Sequence, residues 1–217
     1  EASFVRRLIQ MRSTIEEYDY PIINCIQKFN HEFMKKLDDF KKALIDSDQL
    51  REDFKAAYPE SIQIEPFVFD YNVYPLPKDR FDCVPSLAVE SNNQFQNFYH
   101  SKHRNKNIDL IYQGSLAEFS IKIPLRKKTY TLVMDLPCAC VISALSLRPH
   151  KVSEIIEILG NSKALANKVI VKLYQKTKII VPKEKIVKLT NNDVFIINPS
   201  YYSDKARVII TPVIQGQ

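Results

Sequence analysis

Glycine is scarce, with three in 217 residues. A Gly-rich phosphate cradle or dinucleotide fingerprint therefore has no raw material, and nucleotide-dependent enzymes become poor candidates. Cysteine is sparse as well: Cys25, Cys83, Cys138 and Cys140 are scattered and do not lay out a disulfide framework. Cys138 and Cys140 fall two apart on an expected helix, which aims them at different faces and argues against a shared metal ion. They read as buried, reduced thiols. The histidines, His31, His100, His103 and His150, form no HExxH or similar pattern. No metal and no cofactor are expected. Long apolar runs are also missing. Cys138–Leu147 is far short of the ~20 residues that cross a bilayer, and the N-terminus shows no charged n-region followed by an apolar h-region. The chain reads as soluble and intracellular, with no membrane partner.

What is present is the material of a globular fold. At 25.2 kDa with 45% hydrophobic residues, the chain can bury a core in one compact domain or two small ones. It starts mid-pattern at Ala2-Ser3-Phe4 without an initiator Met, so a piece of a longer protein is expected. The net charge of +6 and pI near 9.0 allow an acidic partner, either nucleic acid or an acidic protein face. Acidic pairs at Glu16/Glu17, Asp38/Asp39 and Glu52/Asp53 belong on solvated faces. No nucleophile and base can be paired, so the reading is not catalytic.

The chain is organised around Tyr130–Ile142. Period-2 alternation over Tyr130–Asp135 predicts a half-buried strand. Asp135 is placed as an N-cap whose carboxylate can take an orphan amide, and Pro137 falls in the first turn, where a missing N–H costs nothing. A buried helix follows, carrying Cys138, Val141, Ile142 and Leu145. Upstream, helices are expected at Ala2–Tyr18 and Ile22–Lys42 as a hairpin, with a break at Asp46-Ser47-Asp48 and a strand at Ile62–Tyr71. Tyr74-Pro75-Leu76-Pro77 must be extended. A helix over Pro85–Lys102, strands at Ile108–Tyr112 and Ser115–Ile123, and the Tyr130 strand imply a small antiparallel sheet. Helices at Val152–Leu159, closed by Gly160, and Lys163–Lys176 then precede strands at Lys178–Val181, Val194–Ile197 and Arg207–Thr211. That order is the order of a winged helix. The fold class is α+β: the end of a helical bundle, a small antiparallel sheet and a winged-helix unit, with boundaries at 1–58, 59–135 and 136–217.

Several patches, in order, resemble the C-terminal part of the cullins, scaffold subunits of multisubunit ubiquitin ligases. FVRRLIQM begins the resemblance. Phe29–Phe33 is similar to the family's LNxxF, and Tyr74–Pro77 looks like its WP followed by LP. Phe95–His103, FQNFYHSKH, resembles FxxFYxxKH. Tyr130–Leu147 is similar to YELxVSTxQMAVLLLFN, with Asp135 in place of a capping serine and Cys-Ala-Cys in place of Gln-Met-Ala. Ser153-Glu154-Ile155 looks like the xEI of the next helix, and Asn192–Ile210 resembles DDxFxxNxxFxxxxxRVKI. The family's Trp is absent, since this chain has none. A distant cullin-like subunit of the anaphase-promoting complex falls within the same resemblance.

The resemblance implies a non-catalytic scaffold that takes a strand of a zinc-bearing RING-box protein into its sheet. The RING in turn recruits a ubiquitin-conjugating enzyme. A substrate receptor would bind through an N-terminal region outside this chain, and the location would be nuclear and cytoplasmic. An open sheet can accept such a strand, and the residues expected to contact it are Ile108, Leu110, Phe119, Ile121 and Ile123. The alternative is a nucleic-acid-binding winged helix, in which Lys163, Lys168, Lys172 and Lys176 of the third helix meet phosphates. A solvated helix face is the simpler account of those lysines, because no Arg fork accompanies them.

Overall fold

No glycine or proline interrupts residues 31–57, and in the computed structural model they form one helix, α1 (His31–Ala57), which stops just before Pro59. The structure describes residues 31–70, 82–104, 106, 108–110, 116–185 and 188–211. The expected helix Ala2–Tyr18, the start of the next one, and Tyr74–Pro77 lie outside these residues. The chain divides into two compact units, one of residues 1–59 with 65–76 and one of residues 60–64 with 77–217.

In the first unit Phe40, Ser47, Leu50 and Phe54 line the buried face of α1. The expected break at Asp46-Ser47-Asp48 is not there. The Ser47 hydroxyl donates to the Ala43 carbonyl at 2.6 Å, which keeps it inside the helix, and accepts the Val68 amide at 2.9 Å. Residues 62–70 are not a strand either. Their alternation has another cause: Phe69 stacks on Phe40 at 5.0 Å, Phe67 lies 6.4 Å from Phe69, and the Arg51 guanidinium sits 5.0 Å over Phe67. An extended segment laid on a helix shows the same period as one in a sheet.

The second unit holds both sheets. A 3-10 turn at Ser86–Ala88 leads into α2 (Val89–Lys102), which buries Phe95, Phe98 and Tyr99. Next come β1 (Leu116–Ile123), a 3-10 turn at Pro124–Arg126, and β2 (Lys128–Asp135). The buried helix α3 (Leu136–Leu147) follows without a gap. Asp135 takes the N-cap position, but its carboxylate caps no amide. Pro137, at the second helical position, offers no N–H, and the carboxylate instead receives a hydrogen bond from the Cys138 thiol. Residues 136–145 are buried throughout. Ser143 is satisfied by the Ser86 hydroxyl at 2.9 Å, which ties α3 to the turn before α2.

The remaining elements are β3 (His150–Lys151), α4 (Val152–Ile158), α5 (Lys163–Ile170), β4 (Ile180–Pro182), β5 (Val194–Ile197) and β6 (Arg207–Ile209). Helix α4 ends at Gly160 with φ 69: the Asn161 amide reaches Ile156 O and the Gly160 amide reaches Glu157 O. Ser162 caps α5 by accepting the Leu165 amide. Beyond α5, residues Val171–Lys176 widen into π turns, closed by the Thr177 amide on Lys172 O. Ala166, Val169, Ile170 and Leu173 form the buried stripe that their spacing predicts.

One sheet has the order β1-β2-β6 and the other β3-β5-β4. The first is mixed, because β2 pairs antiparallel with β1 and parallel with β6. This corrects the expected antiparallel sheet. Its third strand comes from Arg207–Ile209, while Ile108–Leu110 lies on no strand and residues 111–115 are outside the described set. A single core joins both sheets to α3, α4 and α5, with Tyr130, Leu132, Met134, Ile142, Ile155, Ile170 and Phe195 among its largest buried side chains.

Candidate functional site

The sheet that contains β2 offers an edge, and the ladder fixes which groups face it. Thr131 donates its amide to Ala206 O, and the Val133 carbonyl accepts from the Ile210 amide, both at 2.8 Å. Successive residues of a strand turn their backbone groups to opposite sides. Tyr130, Leu132 and Met134 therefore face β1, where their partners are Ile121, Phe119 and Ala117. The N–H and C=O groups of Glu118, Ser120 and Lys122 point the other way. Among the described residues no strand pairs with that side of β1.

The amides of Phe119 and Ile121 already serve the β1–β2 ladder, so they cannot also receive an added strand. Their side chains still matter, because Phe119 and Ile121 are half-buried against the core and Ile123 is fully buried. Any strand laid beside β1 would extend this apolar inner face. Ile108 and Leu110 are half-buried but stand in no ladder among the described residues. On the outer face Glu118 accepts from Arg207 at 2.9 Å across β2, and Lys122 is exposed. The edge residues Glu118, Ser120 and Lys122 escaped the sequence reading because hydrophobicity marks the face of a strand and says nothing of the edge. Parity separates them from the apolar set, and the pairing of Thr131 and Val133 with β6 is what tells which set faces the edge.

The lysines of the alternative reading are spread along α5 and its π extension. Lys163, Lys168 and Lys176 are exposed, while Lys172 is half-buried and donates to the Thr211 hydroxyl. Cys138 and Cys140 are buried thiols. Burial, with the Asp135 carboxylate close by, pushes the Cys138 thiol far up. Burial, then Cys83 and Asp135, pushes Cys140 up to about 12. Both shifts favour the protonated thiol, the less nucleophilic form. Among the described residues no three His, Cys, Asp or Glu groups are gathered to hold a metal ion, and no helix is long and apolar enough to cross a membrane.

Two comparisons bear on this geometry. Residues 70–201, more than half of the chain, match the family description "Cullin alpha+beta domain". The matched span includes α2, β1, β2, all of α3 to α5, and β3 to β5. No curated protein is similar enough to the chain to count as a match.

Proposed function

Because the chain belongs to the cullin family through its alpha+beta domain, we propose that this region is the part of a ubiquitin-ligase scaffold that holds a RING-box protein by strand addition at β1. The observation that carries the reading is the edge of β1 that no strand pairs with among the described residues, with three outward-facing residues, Glu118, Ser120 and Lys122, alternating with the apolar side chains of Phe119 and Ile121. A partner strand would gain main-chain hydrogen bonds from the first set and side-chain burial from the second. Left uncovered, such an edge is an aggregation hazard. The partner's RING would recruit the ubiquitin-conjugating enzyme, so this chain positions the reaction and performs none of it. A substrate receptor would bind through a region outside this chain.

We read α3, α4 and α5 with the β3-β5-β4 sheet as a winged helix, in which α5 is the third helix and residues 183–193 the wing. The order of helices and strands supports this. A nuclear and cytoplasmic location is proposed with the family assignment.

The test is co-purification with a RING-box protein, using the variant Ser120→Pro. Ser120→Pro removes an N–H that faces the free edge and leaves the β1–β2 ladder intact, so the chain should fold and lose the partner. The carbonyl left unpaired on the added strand costs about 1–3 kcal/mol, roughly tenfold to hundredfold in affinity. Retention of the partner by a folded Ser120→Pro variant at wild-type affinity would reject docking at this edge.

A further inference from the structure

The tip of the β1–β2 hairpin carries a second cluster, which shares Lys122 with the docking edge and otherwise lies beyond it. Pro124–Arg126 makes the turn, and Lys127 closes it at φ 49. Leu125 stands at the apex, 71% exposed. Lys122, Arg126 and Lys127 are exposed beside it, and Lys128 is half-buried. Because β6 runs parallel to β2, the loop leading into β6 arrives at this same end of the sheet and adds Tyr202 and Lys205. Tyr202, 57% exposed, takes the Arg126 guanidinium at 5.3 Å and the Lys128 ammonium at 5.5 Å over its ring. Its own hydroxyl hydrogen-bonds to the Asp204 carboxylate at 2.6 Å, which fixes the ring. Lys128 is further held by Tyr130, 4.9 Å from its ring, and donates to Ser203 O at 3.2 Å.

The consequence is a basic cluster in which Arg126 and Lys128 are ordered by aromatic faces. Asp204 is the one carboxylate in residues 122–130 and 199–206, and the cations at Lys122, Arg126, Lys127, Lys128 and Lys205 outnumber it, so the cluster stays net positive. A cation on a ring gains attraction from the quadrupole, yet keeps its charge uncompensated and most of its N–H donors available.

We propose that this hairpin tip is a nucleic-acid contact, in which Lys122, Arg126, Lys127, Lys128 and Lys205 meet backbone phosphates while Leu125 lies against the bases. Charge alone would suit any polyanion. Two features favour nucleic acid over an acidic peptide. An apolar side chain exposed at the apex of a basic turn is the wedge that minor-groove binders set between base steps, and an exposed tyrosine ring with a guanidinium 5.3 Å from its centroid offers planar groups on which an unpaired base can stack. A carboxylate-rich peptide has use for neither.

The test is fluorescence anisotropy of the chain with a short labelled oligonucleotide, single-stranded in one arm and duplex in the other. With five cations, log K against log salt should slope at about −4 to −5 for the duplex and about −3 to −4 for the single strand. Arg126→Glu with Lys127→Glu should weaken binding at least about tenfold at about 50 mM salt and flatten the slope by about 2. Leu125→Ala should weaken it several-fold with no change of slope. Lys163→Glu with Lys168→Glu, both exposed on α5, should leave binding unchanged. The proposal is overturned if neither oligonucleotide binds at low salt, if a folded Arg126→Glu/Lys127→Glu variant binds like wild type, if the α5 pair carries the loss, or if polyglutamate competes equally at matched charge.

Discussion

The two three-stranded sheets use their edges in opposite ways. The β1-β2-β6 sheet is built on a long hairpin, eight residues on each strand, and leaves the outer side of β1 unpaired among the described residues. The β3-β5-β4 sheet is short, with strands of two, four and three residues. Its surroundings are heavily bonded. The carbonyls of Asp193 and Asn191 accept the Val152 and Ser153 amides in the first turn of α4, the Lys183 amide reaches Val194 O, and Asn198 donates to Ile179 O. Its ladder is too short to stand on its own, so helix ends and core packing hold it. A regular ladder holds itself together and leaves an edge to offer; an irregular one has its groups absorbed by its neighbours.

That contrast can be broken at its strongest point by removing the packing of the short sheet. Phe195 is fully buried and meets Tyr174 edge-on at 5.6 Å. Phe195→Ala should cost about 3–5 kcal/mol, measured by chemical denaturation. Ile209→Ala, on the open sheet at 73% exposure, should change stability by no more than about 0.5 kcal/mol. A smaller effect separates neighbouring residues of β1. Ile121→Pro leaves the Tyr130 carbonyl without its ladder donor inside the sheet and should lose about 1–3 kcal/mol, whereas Ser120→Pro should unfold close to wild type, as proline does on an edge whose N–H faces outward. Equal losses in thermal melts would mean that the parity of the edge is misassigned.

Smaller again is the Ser162 cap of α5. Ser162→Ala should cost about 1 kcal/mol, read from the denaturation midpoint, and Ser162→Asn should restore most of it. The smallest effect concerns the start of α4 and appears only with pH. Glu154 accepts from Arg148 at 2.8 Å and from the Lys151 amide at 2.7 Å, and these bonds, the Arg148 contact first, hold its carboxyl down to about 2. Lys151 has no acceptor to return the bond, so only half of a capping box is present. A carboxyl depressed in the folded state stabilises it above the unfolded value near 4.5 and loses that contribution as pH falls toward 2. Wild type should therefore lose more of its melting temperature than Glu154→Gln between about pH 6 and about pH 3. Parallel melting curves for the two proteins would remove Glu154 from the cap.

Much of the candidate site was legible because it is local. The β1–β2 hairpin, its basic turn, the strand-to-helix junction at Asp135 and the stripe of Ala166, Val169, Ile170 and Leu173 all follow from periods of 2 and 3.6 and from caps. The failures are non-local. Phe67 and Phe69 alternate as a strand would but pack on α1, and Ser47 looked like a helix break because a serine can bond outward or back to its own helix. Only the position of Val68 shows that it does both. Arg126, Lys128 and Tyr202 share no local pattern; the return of β6 brings them together.

The sequence by itself determined the β1–β2 hairpin, the helices from α2 to α5 and the faces they bury, since side-chain spacing acts within a few residues and needs no partner. It also carried the cullin pattern, patch by patch. Tertiary structure decided the pairings: that β6 joins β2 in parallel from more than seventy positions away, that Ile121 turns its amide inward and Ser120 outward, and that two cations settle on Tyr202. The physical reason is that a strand's hydrogen bonds and a cation's ring are supplied by whichever segment the fold returns to that place, and spacing along one strand does not encode the return.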